Sequence, residues 1–257
     1  MLTNRLSRFL CLALLCACLG LPVAHTQTPL VPPPQFFQMI VYRNLRPGYA
    51  DFIRGELNPA LIKGGSQNLS VWSTALGDWH ELITLQPVED AGDFYQFRAQ
   101  EMAPATTAQW MRFTQFYEER LAYVIVTRPE LSAQLPTRWP RLVRLRITTT
   151  APQRDGDFAQ WVLRASLPHA ARNTAATEWP TEWPTEWIAK LRYGGDVNNT
   201  FLSWRMGERF ADLDAAFDQQ ADTQLQAAGV VTCNTDYWLR YRPDLSIVKG
   251  KAAVPTQ

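Results

Sequence analysis

The pattern of apolar and polar positions in the first half of the chain predicts an ordered series of elements. Short runs rich in β-branched and aromatic residues indicate strands, and apolar residues that recur every three or four positions indicate helices. Arg46-Pro47-Gly48 precedes the first helix, and Gly77-Asp78 separates the strands of a hairpin. The predicted elements are a strand at 37–43, a helix at 49–61, strands at 69–76 and 79–86, a helix at 93–120 and a strand at 122–127. The order is βαββαβ, as in a ferredoxin-like domain.

The second half of the chain repeats this order. The predicted elements are a strand at 141–148, a helix at 158–171, strands at 188–192 and 200–204, a helix at 212–228 and a strand at 236–241. Short motifs also recur in the same order: Asp-Phe at 51–52 and 157–158, Gly-Asp at 77–78 and 195–196, and Arg-Pro-Glu/Asp-Leu-Ser at 128–132 and 242–246. Matching motifs on matching elements indicate an internal duplication.

These patterns predict an α+β fold made of two tandem ferredoxin-like βαββαβ repeats. A sheet with helices on one face must bury its other face if that face is also apolar. We therefore expect the repeats to dock as an intramolecular pseudo-dimer that encloses a barrel lumen. The predicted boundaries are a signal peptide at 1–26, a proline-rich lead-in at 27–36, the first repeat at 37–133, a linker at 134–140, the second repeat at 141–250 and a tail at 251–257.

The first residues have the layout of a secretory signal peptide. Arg5 and Arg8 precede an apolar run that ends before Pro22, and a run of this length is too short for a membrane span of about 20 residues. Cleavage after Ala24 or Thr26 fits the small residues there. The prediction is an exported protein, periplasmic or secreted, with no transmembrane segment in the mature chain. A lipoprotein attached through Cys18 is the alternative.

Cysteine and charge content narrow the function further. The leader contains all the cysteines except Cys233, so the mature chain has no intramolecular disulfide. Lys and Arg number 25 against 24 Asp and Glu, which excludes a strongly basic nucleic-acid-binding protein. The chain lacks nucleotide-binding, nucleophile-elbow and zinc-protease motifs. Since its histidines are only His25, His80 and His169, we expect no metal site and no cofactor.

Strand alternation selects candidate ligand-binding residues. If the face covered by helices is the more apolar one, Gln38 and Tyr42 on the first strand point into the lumen. On the hairpin the same rule selects Trp72 and His80. The predicted ligand-binding residues are therefore Gln38, Tyr42, Trp72 and His80, and His80 is the candidate proton-transfer residue. The alternative is that these side chains only fill the barrel.

Arginines crowd the predicted strand at 141–148. Arg144 and Arg146 share one face of this strand. Two interpretations stay open, a patch that binds carboxylates and an exposed strand face whose arginines pair with acidic residues of the neighbouring strand.

The tandem units, the Arg-Pro-Gly entry into the first helix, the Gly-Asp hairpin and the closing Arg-Pro-Asp-Leu-Ser resemble the dimeric α/β-barrel superfamily. The resemblance is closest to its NIPSNAP-like and antibiotic-biosynthesis-monooxygenase-like members, and to exported bacterial proteins with two repeats. It implies the fold more strongly than an activity.

Because no catalytic constellation is present, we predict a non-catalytic module of the cell envelope that binds a small apolar or aromatic ligand or a partner. The alternative is a cofactor-independent monooxygenase- or isomerase-like enzyme that acts on a small aromatic or apolar substrate in the lumen. A homodimer is a further open alternative.

Overall fold

Eight antiparallel strands in the described part of the chain close into a barrel. The computed structural model describes residues 34–75, 81–88, 104–132, 141–166, 186–193, 199–207, 209–213 and 215–252. The barrel strands are β1 (Phe36–Arg43), β2 (Ser70–Thr74), β3 (Leu82–Val88), β4 (Glu119–Thr127), β5 (Leu142–Thr150), β6 (Glu186–Tyr193), β7 (Thr200–Gly207) and β8 (Val231–Tyr241). Their order around the barrel is β1-β3-β2-β8-β5-β7-β6-β4, and β4 pairs with β1 to close the ring. Two short strands, β9 (Ile247–Val248) and β10 (Lys251–Ala252), pair separately.

Helices cover the outside of the barrel. They are α1 (Tyr49–Phe52), α2 (Asn58–Lys63), α3 (Pro104–Phe113), α4 (Asp155–Trp161) and α5 (Ala215–Ala227). Gly48 begins α1 with a φ of 91°, a left-handed conformation that suits glycine at the Arg-Pro-Gly turn. A π-helical turn, Ile53–Leu57, joins α1 to α2, and a second one, Val162–Ser166, follows α4. Single-turn helices of the 3₁₀ type end at Phe116, Leu131, Leu213 and Leu245.

The strands bury side chains on both faces. The barrel interior holds one cluster, to which all eight strands contribute, including Met39, Trp72 and Trp204. A second cluster packs the outer face of β1, β2 and β3 against α1, α2 and α3, and a third packs β6 and β7 against α4 and α5. A strand that is buried on both faces carries apolar residues at both parities. The composition of β1 therefore does not show which of its faces meets the helices.

The two closing motifs each pack against the opposite half of the chain. β4 pairs with β6, and β8 pairs with β2. Leu131 accordingly packs in the outer cluster of β6 and β7, whereas Leu245 packs in the outer cluster of β1 and β2. The backbone angles at the start of the two motifs, at Arg128 and Arg242, are both φ −115° and ψ 79°.

The predicted α+β class is confirmed, and most element positions are close to the predicted ones. The predicted helix at 93–120 is wrong at its end, because α3 ends at Phe113 and β4 begins at Glu119; residues 93–103 lie outside the described residues. β8 begins earlier than predicted, at Val231. In the described part of the chain, no helix is long and apolar enough to cross a membrane.

Candidate functional site

A pocket lies between the outer face of the barrel and the first group of helices. The space between its lining atoms is about 450 Å³ with open solvent included, and the enclosed cavity is about 20 Å³. A cavity of that size holds about one water molecule, so a larger ligand requires the side chains or helices of the wall to move. Its lining comes from β1, β2, β3, the helical segment 49–63 and α3: Gln38, Ile40, Tyr42, Ile53, Leu57, Asn58, Leu61, Leu69, Val71, Leu82, Thr84, Gln86, Trp110 and Phe113.

The π-helical turn shapes one wall of this pocket. Ile53 and Leu57 at its two ends both line the cavity, and Asn58 follows directly. Pro59 has no amide hydrogen for the carbonyl four residues earlier, so the backbone next to it is not held by a regular α-helical bond. Turns of the π type are frequent at functional sites. Here the turn immediately precedes the one amide side chain that α2 contributes to the pocket.

Gln38 supplies a buried carboxamide on the strand side of the pocket. The residue is 2% exposed, and neither its Oε1 nor its Nε2 has a hydrogen-bond partner among the described residues. Gln86 is its neighbour across the β1–β3 ladder. A buried amide without partners costs about 1–3 kcal/mol for each unsatisfied group. A ligand that pairs with this amide would remove that cost.

Asn58 supplies a second buried carboxamide, on the helix side. The residue is 1% exposed, and its Nδ2 donates a hydrogen bond of 2.9 Å to the backbone carbonyl of Leu245. Its Oδ1 has no hydrogen-bond partner among the described residues. The bond to Leu245 fixes which end of the amide is free, and the free end is an acceptor.

Aromatic side chains form the remaining wall. The ring of Tyr42 lies 5.2 Å from that of Phe113 and 5.0 Å from that of Tyr117, and Trp110 lies 6.0 Å from Phe113. These centroid distances are typical of packed aromatic pairs. The described lining residues carry no charge. The pocket therefore suits a neutral, mostly apolar or aromatic molecule with a small number of polar atoms.

The barrel lumen is a packed core. Trp72, Trp187 and Trp204 are fully buried there, and the rings of Trp187 and Trp204 lie 4.3 Å apart. Trp72 packs against Tyr241 at 5.0 Å. The predicted direction of Trp72 is confirmed, since it points into the lumen.

The predicted direction of Gln38 and Tyr42 is wrong. Both side chains point away from the lumen and line the pocket under the helices, whereas Met39 and Val41 fill the barrel. The prediction assumed that the helix-covered face would be the more apolar one. In this protein both faces of β1 are buried, so the more apolar residues of the strand, Met39 and Val41, lie in the lumen and not under the helices. The structure thus brings Gln38 and Tyr42 together and places Trp72 on the other side of the sheet.

His80, the predicted proton-transfer residue, lies outside the described residues, as do His25 and His169. Its role stays a prediction. Asn58, in contrast, was missed by the sequence analysis. Its sequence signal was an amide at an inward position of an otherwise apolar helix face, directly before a proline.

The arginines of β5 pair with acidic residues. Arg144 and Arg146 both donate to Asp236 on the neighbouring strand, and Arg146 also donates to Asp222 of α5 at 2.6 Å. Burial works to raise the pKa of Asp236, but the hydrogen bonds from Arg146 and Arg144 outweigh it and hold that pKa below its usual value. The cross-strand interpretation is confirmed, although the face is buried: Arg144 is 6% exposed.

A polar cluster at one end of the barrel was not predicted. Arg43 donates to the hydroxyl of Tyr237 at 2.9 Å and forms ion pairs with Glu119 and with the buried Glu81 at 3.1 Å. Burial raises the pKa of the Glu81 carboxyl, and the attraction of Arg43 offsets only part of that rise. Glu81 directly precedes β3 and is two residues before Ile83, so it shares the lumen-facing side of Ile83 and Leu85. The cluster closes the apolar lumen with paired charges.

No protein-family model matches the sequence, and no curated protein matches it. Solved structures do share the fold. One is a candidate monooxygenase from Fusobacterium nucleatum, which is 12% identical with a TM-score of 0.55; the match covers 87% of this chain and 98% of that one. Another is a candidate monooxygenase from Lactobacillus acidophilus, 10% identical with a TM-score of 0.50, which covers 88% of this chain and 100% of that one.

A third structure is described as an anthrone oxidase-like protein. It is 8% identical with a TM-score of 0.55, and the match covers 88% of this chain and 98% of that one. The chain therefore shares its fold with these three structures.

The prediction of a non-catalytic module is wrong. The structures that share the fold are described as monooxygenases and as an oxidase-like protein, which agrees with the enzyme alternative instead. Among the described residues, apolar side chains fill the barrel interior, and one pocket lies between the barrel and the first group of helices.

Proposed function

We propose that this protein is a cofactor-independent enzyme of the monooxygenase or isomerase type, and that it acts on a small aromatic or apolar substrate in the pocket between β1, β3 and the helices. The observation that carries the proposal is the buried amide of Gln38, which lines an apolar cavity without a hydrogen-bond partner among the described residues. A buried polar group without a partner lowers the stability of the fold. Such groups are found at binding sites, where they pair with the ligand.

The chemistry that fits is proton removal next to a carbonyl. Nε2–H of Gln38 can donate to the substrate oxygen and stabilise the negative charge that develops there as an enolate forms. We propose as the base His80, which the sequence analysis named as the candidate proton-transfer residue. Return of the proton to a different carbon completes an isomerisation.

Oxygenation starts from the same enolate. An enolate of a hydroxyaromatic ketone gives up electrons to O₂ directly, so the substrate itself is the reductant. In the balanced reaction a ring CH₂ becomes C=O; one atom of O₂ enters the product and the other leaves as water with the two hydrogens. The anthrone oxidase-like neighbour is the reason for choosing a substrate of this class as the first to test.

The experiment uses the mature protein with dihydroxyanthrone. O₂ consumption, together with one labelled oxygen atom in the product from labelled O₂, supports the monooxygenase type. Deuterium uptake from D₂O without O₂ consumption supports the isomerase type. Gln38→Leu should slow either reaction at least about ten-fold, whereas Gln220→Leu on the exposed face of α5 should not. Absence of binding and of both reactions over a series of aromatic ketones would overturn the proposal.

We also propose that the chain consists of two tandem ferredoxin-like repeats within the predicted boundaries, and that its nearest kinship is NIPSNAP-like. The matching strand registers support the two repeats. Gln38 pairs with Gln86 on one side and Val124 on the other, as Arg144 pairs with Arg205 and Trp238.

Export is a separate proposal, supported by the layout of residues 1–26. Expression of the full chain followed by intact mass measurement tests it. A mature chain that begins after Ala24 or Thr26 is the expected result, and a lipid mass on Cys18 would indicate the lipoprotein instead. An uncleaved chain in the cytoplasm contradicts export.

A further inference from the structure

The C-terminal segment 242–252 is attached to the elements that line the pocket. Leu69 and Ile247 exchange two backbone hydrogen bonds of 2.9 Å, and the amide of Gly250 donates to the carbonyl of Gln67 at 2.8 Å. Asp244 accepts from Arg54 of the π-helical turn at 2.6 Å. The segment thus connects the strand side of the pocket to its helix side.

The bond between Asn58 and Leu245 is the member of this set that reaches the cavity. Asn58 Nδ2 uses the Leu245 carbonyl as its acceptor, and Leu245 is itself fully buried. If the amide turned over, its Oδ1 would face another carbonyl oxygen, which has no hydrogen to donate. The Leu245 carbonyl therefore holds Asn58 in one orientation, with Oδ1 as a fixed acceptor.

A fixed acceptor in a buried pocket discriminates between ligands. A ligand with an O–H or N–H group satisfies Oδ1, whereas a ligand that has only acceptors or carbon there leaves Oδ1 unpaired. Sites that hydrogen-bond a donor reject the analogue that lacks it strongly, because the buried polar group is then left alone. Gln38 does not discriminate in this way, since its amide has both a free donor and a free acceptor.

We infer that Asn58 is a specificity-determining residue: its Oδ1 selects ligands that present a hydrogen-bond donor, and the C-terminal segment sets this selectivity through the Leu245 carbonyl. The inference rests on the proposed function to the extent that the pocket is the ligand site. It does not depend on which reaction follows.

The experiment compares β-naphthol, its methyl ether and naphthalene by isothermal titration calorimetry on the mature protein. The three probes differ at one position, and the ether keeps the oxygen but loses the hydrogen. We expect β-naphthol to bind about ten-fold or more tightly than the ether. We expect the ether to gain little over naphthalene. In Asn58→Leu, whose side chain is branched at the same carbon, the preference of naphthol over ether should fall to about one-fold.

Each result has a separate meaning. Equal affinity of the alcohol and the ether for the unmodified protein overturns the role of Asn58 while the pocket proposal stands. Absence of binding of all three probes overturns both. If Asn58→Leu does not fold, the unmodified protein with the three probes still decides, because that comparison needs no variant. Retention of the full preference in a folded Asn58→Leu overturns the inference.

Discussion

Ser132 and Ser246 make the same pair of hydrogen bonds at corresponding places in the two halves of the chain. Each hydroxyl donates to the carbonyl of the arginine four residues earlier, at 2.8 Å in both cases. Each also accepts a backbone amide from the opposite half, Ile188 for Ser132 and Val71 for Ser246. The repeated Arg-Pro-Glu/Asp-Leu-Ser motif therefore connects the two halves of the chain by hydrogen bonds. It joins the end of β4 to β6 and the end of β8 to β2.

This pair of serines offers a matched test of the Asn58 inference. Ser132→Ala and Ser246→Ala should each lower the free energy of unfolding by about 1–3 kcal/mol, because each removes the acceptor of a buried backbone amide, that of Ile188 or of Val71. Only Ser246→Ala should reduce the preference for β-naphthol over its methyl ether, since only its turn carries the Leu245 carbonyl that holds Asn58. Urea unfolding and calorimetry on both variants check this. An equal change of the preference in both would contradict it.

Gln38→Leu should raise stability and weaken binding at once. The substitution removes a buried amide whose two polar atoms have no partner among the described residues, so the free energy of unfolding should rise by about 1–2 kcal/mol. The same amide is proposed to pair with the substrate oxygen, and turnover should fall. Thermal unfolding without ligand and a steady-state assay measure the two effects. Destabilisation by Gln38→Leu would show that the amide has a structural partner.

Two tryptophans should respond in opposite ways to replacement by phenylalanine. Trp72 is fully buried in the packed lumen, and Trp72→Phe should cost about 1–3 kcal/mol of stability with little change in ligand affinity. Trp110 lines the pocket, and Trp110→Phe should weaken ligand binding several-fold with a smaller loss of stability. Chemical denaturation and calorimetry distinguish them. Loss of ligand binding in a folded Trp72→Phe variant would contradict this prediction and indicate that the ligand binds in the lumen.

Asp244 should make part of the free energy of unfolding depend on pH. Burial works to raise its pKa, but hydrogen bonds from Arg242 and Arg54 outweigh it, so that the pKa of Asp244 is lower in the folded chain than in the unfolded one. Such a carboxylate stabilises the fold above its unfolded pKa, and the contribution is lost as the pH falls through the folded pKa. The expected loss lies below about pH 4.

Asp244→Asn should therefore be less stable than the unmodified protein by about 1 kcal/mol near neutral pH, and this difference should shrink below about pH 4. Asp51→Asn is the control, since Asp51 also pairs with Arg54 but is 83% exposed as a side chain. Urea unfolding over a pH series measures both. A constant difference between Asp244→Asn and the unmodified protein at every pH would contradict the assignment.

The sequence by itself determined the class of fold and the order of its elements. Local composition was sufficient for this, because each signal covers only a few neighbouring residues. Runs of β-branched residues indicate strands, helical spacing of apolar residues indicates helices, and Gly or Pro indicates turns. For Arg144 and Arg146 the sequence left two interpretations open, and the structure selected the pairing with acids. The repeated Arg-Pro-Glu/Asp-Leu-Ser motif predicted that matching local structures would recur, and its backbone angles do.

Tertiary structure alone decided which face of β1 meets the helices. Both faces of this strand are buried, so Gln38 and Met39 each lie in a core, and periodicity cannot rank two buried faces. The hydrogen bond between Asn58 and Leu245 could not be predicted from the sequence either. It joins positions 187 residues apart, which come together because β8 pairs with β2. A pocket exists only where separate elements fail to fill the space between them. That depends on how whole elements pack, and no local run of residues records it.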